Sequence, residues 1–194
     1  MLMVHGRGAT AMSMFELADV LAQPDMAYLA PEAAGRTWYP QSFLAPIENN
    51  EPGLSSGLQA IADGLDHLAA AGFPSEYVAL LGFSQGACLA LEFAARNARR
   101  YGAVIALSGG LIGPEGTSRT YAGSLEGTPV FLGCSDTDMH IPLARVRESA
   151  EALKRLDASV DTRIYPGMGH TINDDEVKAV RGLLATLQTR GETT

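Results

Sequence analysis

The sequence predicts an α/β fold: one mostly parallel sheet with helices on both faces, in a single domain over residues 1–194 with no large lid domain. Three observations predict it. Short apolar segments alternate with longer segments of helical period, which is the pattern of βαβ units. Glycine and polar residues gather directly after the apolar segments, where open parallel sheets place their ligands. The chain has 194 residues, 46% apolar and 19% charged, enough for a real core and too apolar for disorder.

The elements follow in order. "LMV" (2–4) is short and apolar and ends at His5-Gly6. "ATAMSMFELADVLA" places Met14, Leu17, Ala18 and Leu21 at helical spacing. "MAYLAP" reads as a strand stopped by Pro31. "LSSGLQAIADGLDHLAAAG" reads as a helix with Ser55 or Ser56 in its cap region and Gly72 at its end. "YVALLGF" is a strand, "QGACLALEFAARNARRYG" a helix, and "GAVIALSG" and "TPVFLGC" are strands. "PLARVRESAEALKRLD" is a helix opened by Pro142, a residue suited to the first helical position. "SVDTRIYPG" is a strand and "DDEVKAVRGLLATLQ" the closing helix. Between residues 108 and 128 the chain is glycine-rich and poor in helix signal, so it is either a flap over a site or a long connection.

Charge narrows the partners. The formal net charge is −8 and the pI about 4.9, which argues against nucleic acid or an anionic membrane surface. No apolar run approaches the roughly 18 residues of a spanning helix. His5 and Arg7 interrupt the first residues at once, so no signal peptide is read there and a cytoplasmic protein is expected. The two cysteines, Cys88 and Cys134, are too few for a disulfide framework and form no CxxC pair.

"GFSQG" (82–86) fits G-x-S-x-G, a serine presented on a sharp strand-to-helix bend. Strand and helix then pass so closely that the positions two residues either side must be tiny, hence Gly82 and Gly86. The helix starting near Gln85 also points its positive end at Ser84, favouring developing negative charge. The alternative is a plain turn or a helix cap.

A serine hydroxyl needs a base. Of the four histidines, His67 lies mid-helix and His5 organises its own glycine loop. His170 follows the last strand on the correct sheet edge and is the expected base. His140 either lines the site or is a solvent-exposed loop residue. The orienting carboxylate comes from "GCSDTDMHIP", which offers Asp136 and Asp138. Spacing does not separate them, and the unused one is suited to bonding its own turn. Serine, aspartate and histidine in this chain order match the α/β-hydrolases. The expected oxyanion donors are the backbone N–H groups of Gln85, after the nucleophile, and Arg7, in the early glycine loop. The Arg7 side chain is then free to face solvent or to reach an anionic part of a substrate.

"VHGRG", "GFSQGACLAL", "ALSGGL", "D-x-H-I-P" and "YPGMGH" together resemble the bacterial phospholipase/carboxylesterase family of α/β-hydrolases, which includes the acyl-protein thioesterases. The resemblance covers nearly the whole chain. Its Asp-x-x-Ile-Pro pattern falls on Asp138-Met-His-Ile-Pro142 and so selects Asp138. Relatives usually carry more chain before the glycine loop, and Leu where Arg7 stands here. The resemblance implies a serine hydrolase that splits esters or thioesters of modest acyl chains with no cofactor and no metal, and it admits a homodimer. Small to medium carboxylic esters are the expected substrates. Thioesters and lysophospholipids are the alternative, and a non-catalytic binding protein of the same fold is the remaining rival. In "GRTWYPQSF" (35–43), Trp38, Tyr39 and Phe43 are candidates for an apolar substrate wall, with packing against the body as the alternative.

Overall fold

The computed structural model describes residues 1–187. Five strands form one wholly parallel sheet in the order β1 (Leu2–Val4), β2 (Ala79–Phe83), β3 (Ala103–Leu107), β4 (Pro129–Ser135) and β5 (Ser159–Tyr165). The helices are α1 (Ala11–Leu21), α2 (Gly53–Ala70), α3 (Gln85–Arg96), α4 (Leu143–Arg155) and α5 (Asp174–Leu184).

Alternation along each strand builds two cores. Leu2, Val4, Leu80, Val104, Ala106, Val130 and Leu132 face α2, α3 and α4. Met3, Leu81, Ile105, Leu107 and Phe131 face α1 and α5 on the other side. Buried on both faces, β1 to β4 read as continuous apolar runs, whereas the edge strand β5 is partly exposed and carries Ser159, Asp161, Thr162 and Arg163. Helix α3 is buried at every position from Gln85 to Ala95, because it crosses β1, β2 and β3 and is covered by α2. Among the described residues no helix is long and apolar enough to cross a membrane.

The segment "MAYLAP" differs from the expected strand. It forms a single bridge at Leu29, whose N–H donates to Met1 O and whose carbonyl accepts from Met3 N–H, and Ala27 O accepts from the Met1 amino group. The next bond of this ladder would need an N–H at residue 31, and Pro31 has none. This bridge still matters for placement. It lies on the edge of β1 away from β2, so the chain leaves β1 in one direction and returns for β2 in the other. The reversal opens a crevice at the carboxyl ends of β1 and β2.

Three helix ends also differ. Helix α2 is capped at Pro52 with no side-chain bond from that residue. Ser55 lies within the first turn, where the Glu51 carboxylate accepts from its N–H and hydroxyl. Pro142 is the residue before α4 rather than its first member. Helix α3 stops at Arg96 because the Asn97 backbone and side-chain amides both donate to Phe93 O.

The 108–128 segment is a pinned connection. Arg145 Nη1 donates to Leu111 O and Gly113 O at 2.7 Å each, and Arg119 Nη1 donates to Ile112 O at 2.6 Å. Glu92 accepts from Ile112 N–H at 2.9 Å. Glu148 accepts from both arginines.

Candidate active site

The end of β2 sets the site. Ser84 has φ 54° and ψ −118°, a backbone conformation that is strained for a residue with a Cβ. Its N–H donates to Leu107 O at the end of β3, and its carbonyl accepts from Cys88 N–H in α3. The bend is tight: a Cβ at Gly82 would lie 2.3 Å from Gly86 O, and one at Gly86 would lie 2.0 Å from Val4 O. Only glycine allows α3 to start this close to β1 and β2, and that approach lifts the Ser84 hydroxyl into the crevice.

His170 arrives from the loop after β5. Its Nε2 lies 2.8 Å from Ser84 Oγ and its Nδ1 lies 2.7 Å from Asp138 Oδ2. The carboxylate can only accept, so Nδ1 carries the proton and Nε2 accepts from the serine hydroxyl. Burial raises the Asp138 carboxyl, but the bonds from His170 and from the His140 and Ile141 N–H groups outweigh it, and the net shift is downward. Asp138 therefore stays ionised beside the imidazole.

Asp136 has different work. Its Oδ1 accepts from Gly167 N–H at 2.8 Å. Ser135 Oγ accepts from Gly169 N–H at 3.1 Å. Both glycines have positive φ, 66° and 78°, so the His170 loop turns sharply and is tied to the end of β4.

Arg7 and Gln85 both line the cleft that holds Ser84. The Arg7 N–H has no hydrogen-bond partner among the described residues. Gln85 opens α3, where the first N–H groups lack intrahelical partners. The cleft has a volume of about 460 Å³ and also touches Tyr39, Phe43, His140 and Ile141. His140 stands edge-on to His170, with ring centroids 4.7 Å apart. A larger cavity of about 790 Å³ lies at the amino ends of the strands, bounded by Met1, Val78 and Leu184, and contains none of the expected site residues.

The aromatic segment divides. Tyr39 and Phe43 border the cleft, but Trp38 does not. Trp38 is packed beneath, its ring 4.9 Å from that of His5 and its Nε1–H donating to His5 O at 2.9 Å. His5 accepts at Nε2 from Ala33 N–H, so its proton sits on Nδ1 and is donated to Gly6 O. His5 thus shapes the glycine loop from below.

Sequence reasoning missed four contacts. The Arg7 residue is exposed, one of the two expectations for it, but its guanidinium is engaged there: it donates to the carbonyls of Tyr39, Pro40 and Gln41. The Gln85 side chain accepts from Trp38 N–H and donates to Tyr39 O. Asn50, fully buried, accepts from Gln41 N–H and donates to Ser42 O. The Cys134 thiol, pushed up to about 12 by burial and then by the Asp138 charge, stays protonated and donates to Asp138 Oδ2. The first three leave no local sequence signal, because each partner is a backbone group brought close by folding. For Cys134 the signal was its place four residues before Asp138.

The phospholipase/carboxylesterase family model matches residues 1–188. A solved phospholipase/carboxylesterase from Dyadobacter fermentans is 43% identical, with TM-score 0.91 over 95% of this chain and 88% of that one. A carboxylesterase from Mesorhizobium loti is 22% identical, with TM-score 0.75 over 95% of this chain and 87% of that one, and shares the fold. Acyl-protein thioesterase 1 of Gibberella zeae is 32% identical over 119 residues, 58% of this chain and 49% of that protein. The chain therefore spans about half the length of this curated relative.

Proposed function

The chain belongs to the phospholipase/carboxylesterase family and has the α/β-hydrolase fold, and from that premise we propose that it is a serine carboxylesterase acting on small to medium esters. The supporting observation is the unbroken hydrogen-bond series Ser84–His170–Asp138, whose Ser84 and His170 line the cleft. Ser84 Oγ attacks the ester carbonyl carbon while its proton passes to His170 Nε2. Asp138 keeps the ring oriented and stabilises the imidazolium. The oxyanion accepts from the Arg7 and Gln85 N–H groups, each worth about 3 kcal/mol in the transition state. His170 then protonates the departing alkoxide and the carbon–oxygen bond breaks. Water, deprotonated by the same imidazole, attacks the acyl-enzyme and frees Ser84. The reaction needs no cofactor or metal, and the expected partner is a small-molecule ester.

The volume of about 460 Å³ suits a modest acyl group. Tyr39, Phe43 and Ile141 supply apolar wall. Ser84→Ala is expected to abolish turnover of p-nitrophenyl butyrate while keeping the wild-type melting midpoint. Ordinary turnover in that variant would sink the assignment. A fluorophosphonate probe should label Ser84 in the wild type; absence of labelling would favour a binding protein. The thioesterase relative from Gibberella zeae favours a second reading, in which the same residues cleave acyl thioesters. Parallel kinetics on an ester and a thioester of one acyl length decide between them.

A further inference from the structure

Both proposed oxyanion donors belong to residues whose side chains reach the same short segment. Arg7 Nη2 donates to Tyr39 O at 2.9 Å and to Gln41 O at 2.7 Å, and its Nη1 donates to Pro40 O at 3.0 Å. Gln85 Nε2 donates to Tyr39 O at 2.8 Å, and Gln85 Oε1 accepts from Trp38 N–H at 3.0 Å. The Tyr39 carbonyl is thus shared by the two residues. The segment is held from behind by Asn50, which bonds Gln41 N–H at 2.8 Å and Ser42 O at 2.9 Å. The glycine loop is tied to the same stretch once more, where Gly8 N–H donates to Arg36 O at 2.7 Å.

From this convergence we infer that residues 38–42 are a brace that sets the separation of the two oxyanion donors, and that the Arg7 side chain is a positioning residue for it. The inference rests on the serine esterase reading of the cleft. The glycine loop after β1 and the start of α3 are far apart in the chain, and no direct hydrogen bond joins Arg7 to Gln85. An oxyanion hole works only when its donors stand at the distance the tetrahedral oxygen requires, and small misplacements cost much of the rate. The guanidinium suits this task because its planar fork places several donors in fixed directions. Its three acceptors are neutral carbonyls, so the contact demands shape rather than opposite charge. A lysine can supply the charge but cannot reproduce the fork.

The test compares Arg7→Met and Arg7→Lys with the wild-type chain. Two p-nitrophenyl esters of equal length are used, neutral butyrate and the hemisuccinate, which ends in a carboxylate. Arg7 is exposed, so both variants are expected to fold with a near wild-type melting midpoint. The expected result is a fall in kcat on the order of tenfold to a hundredfold for both esters, with KM little changed. Arg7→Lys should recover only a small part, and added methylguanidinium should partly restore Arg7→Met. A loss confined to the KM of the hemisuccinate would overturn the inference and make Arg7 a substrate-anion contact. Unchanged kcat on both esters would overturn it as well. Asn50→Asp gives a second arm from outside the cleft, since it removes the bond to Ser42 O. It should also lower kcat at constant KM, and a folded Asn50→Asp with wild-type kcat counts against the brace. Fluorophosphonate labelling of the wild type is done first: without label and turnover the esterase reading itself fails, whereas label and turnover insensitive to Arg7→Met reject the brace alone.

Discussion

His170 donates its Nδ1 proton to Asp138 Oδ2 across 2.7 Å, and Asp136, two residues earlier, instead holds the backbone of the His170 loop at Gly167. The two carboxylates of one loop thus serve the same histidine in different ways. One touches the ring and the other ties down the chain that carries it.

Asp138→Asn is expected to lower kcat/KM by several orders of magnitude, because the amide favours the wrong imidazole tautomer. Asp136→Asn retains an acceptor for Gly167 N–H and should lose less than about tenfold. Ester hydrolysis by the two purified variants gives the ranking, and the reverse order would reassign the acid.

Gly86→Ala places a methyl group 2.0 Å from Val4 O, where backbone meets backbone. It is expected to cost about 3 kcal/mol or to prevent folding. Gly182 in α5 is the contrasting case, since an added Cβ there meets nothing within 4 Å among the described residues. Gly182→Ala should gain up to about 1 kcal/mol from helix propensity. Urea midpoints of the two variants against wild type check both signs.

Arg145 is only 6% exposed and donates to Leu111 O and Gly113 O. Arg145→Met should cost about 2 kcal/mol by leaving buried carbonyls without a donor. The same loss should expose the 108–128 connection to limited proteolysis, which is the direct readout of whether it is pinned.

Glu176 is fully buried, and its Oε1 has no hydrogen-bond partner among the described residues. Burial pushes its carboxyl up from 4.5 to about 7, against the lowering effect of the Asn173 N–H and with help from the Asp175 charge. The folded chain therefore holds this proton more tightly than the unfolded chain. The sign follows: stability declines as pH rises from about 4.5 through about 7. Glu176→Gln should lose less stability than wild type between about pH 5 and about pH 8, read as melting midpoints at the two values. An identical pH dependence in wild type and variant would reject the assignment.

Strands β1 to β4 were legible in the sequence because burial on both faces makes them short apolar runs, and α1, α2, α4 and α5 because one face is apolar at helical period. The partly exposed β5 was marked off instead by the helical segments on either side of it. The Ser84 bend was legible for a steric reason, since glycine at 82 and 86 is demanded by approaches of 2.3 and 2.0 Å. The single bridge at Leu29 was not, because its length depends on which edge of β1 the segment meets and on the missing N–H of Pro31.

By itself the sequence determined the strand–helix alternation, the serine elbow, and a histidine placed after the last strand. These follow from local sterics and periodicity, which neighbouring residues carry. Spacing alone left Asp136 and Asp138 open, and the family resemblance selected Asp138. The tertiary structure brings Asp138 to the imidazole, and the pairing of Ser135 with Tyr165 fixes how the two loops face each other. The tertiary structure alone turned Trp38 beneath the glycine loop and folded Arg7 onto the carbonyls of Tyr39, Pro40 and Gln41. Backbone carbonyls carry no residue identity, so a contact made to them has no imprint in the sequence.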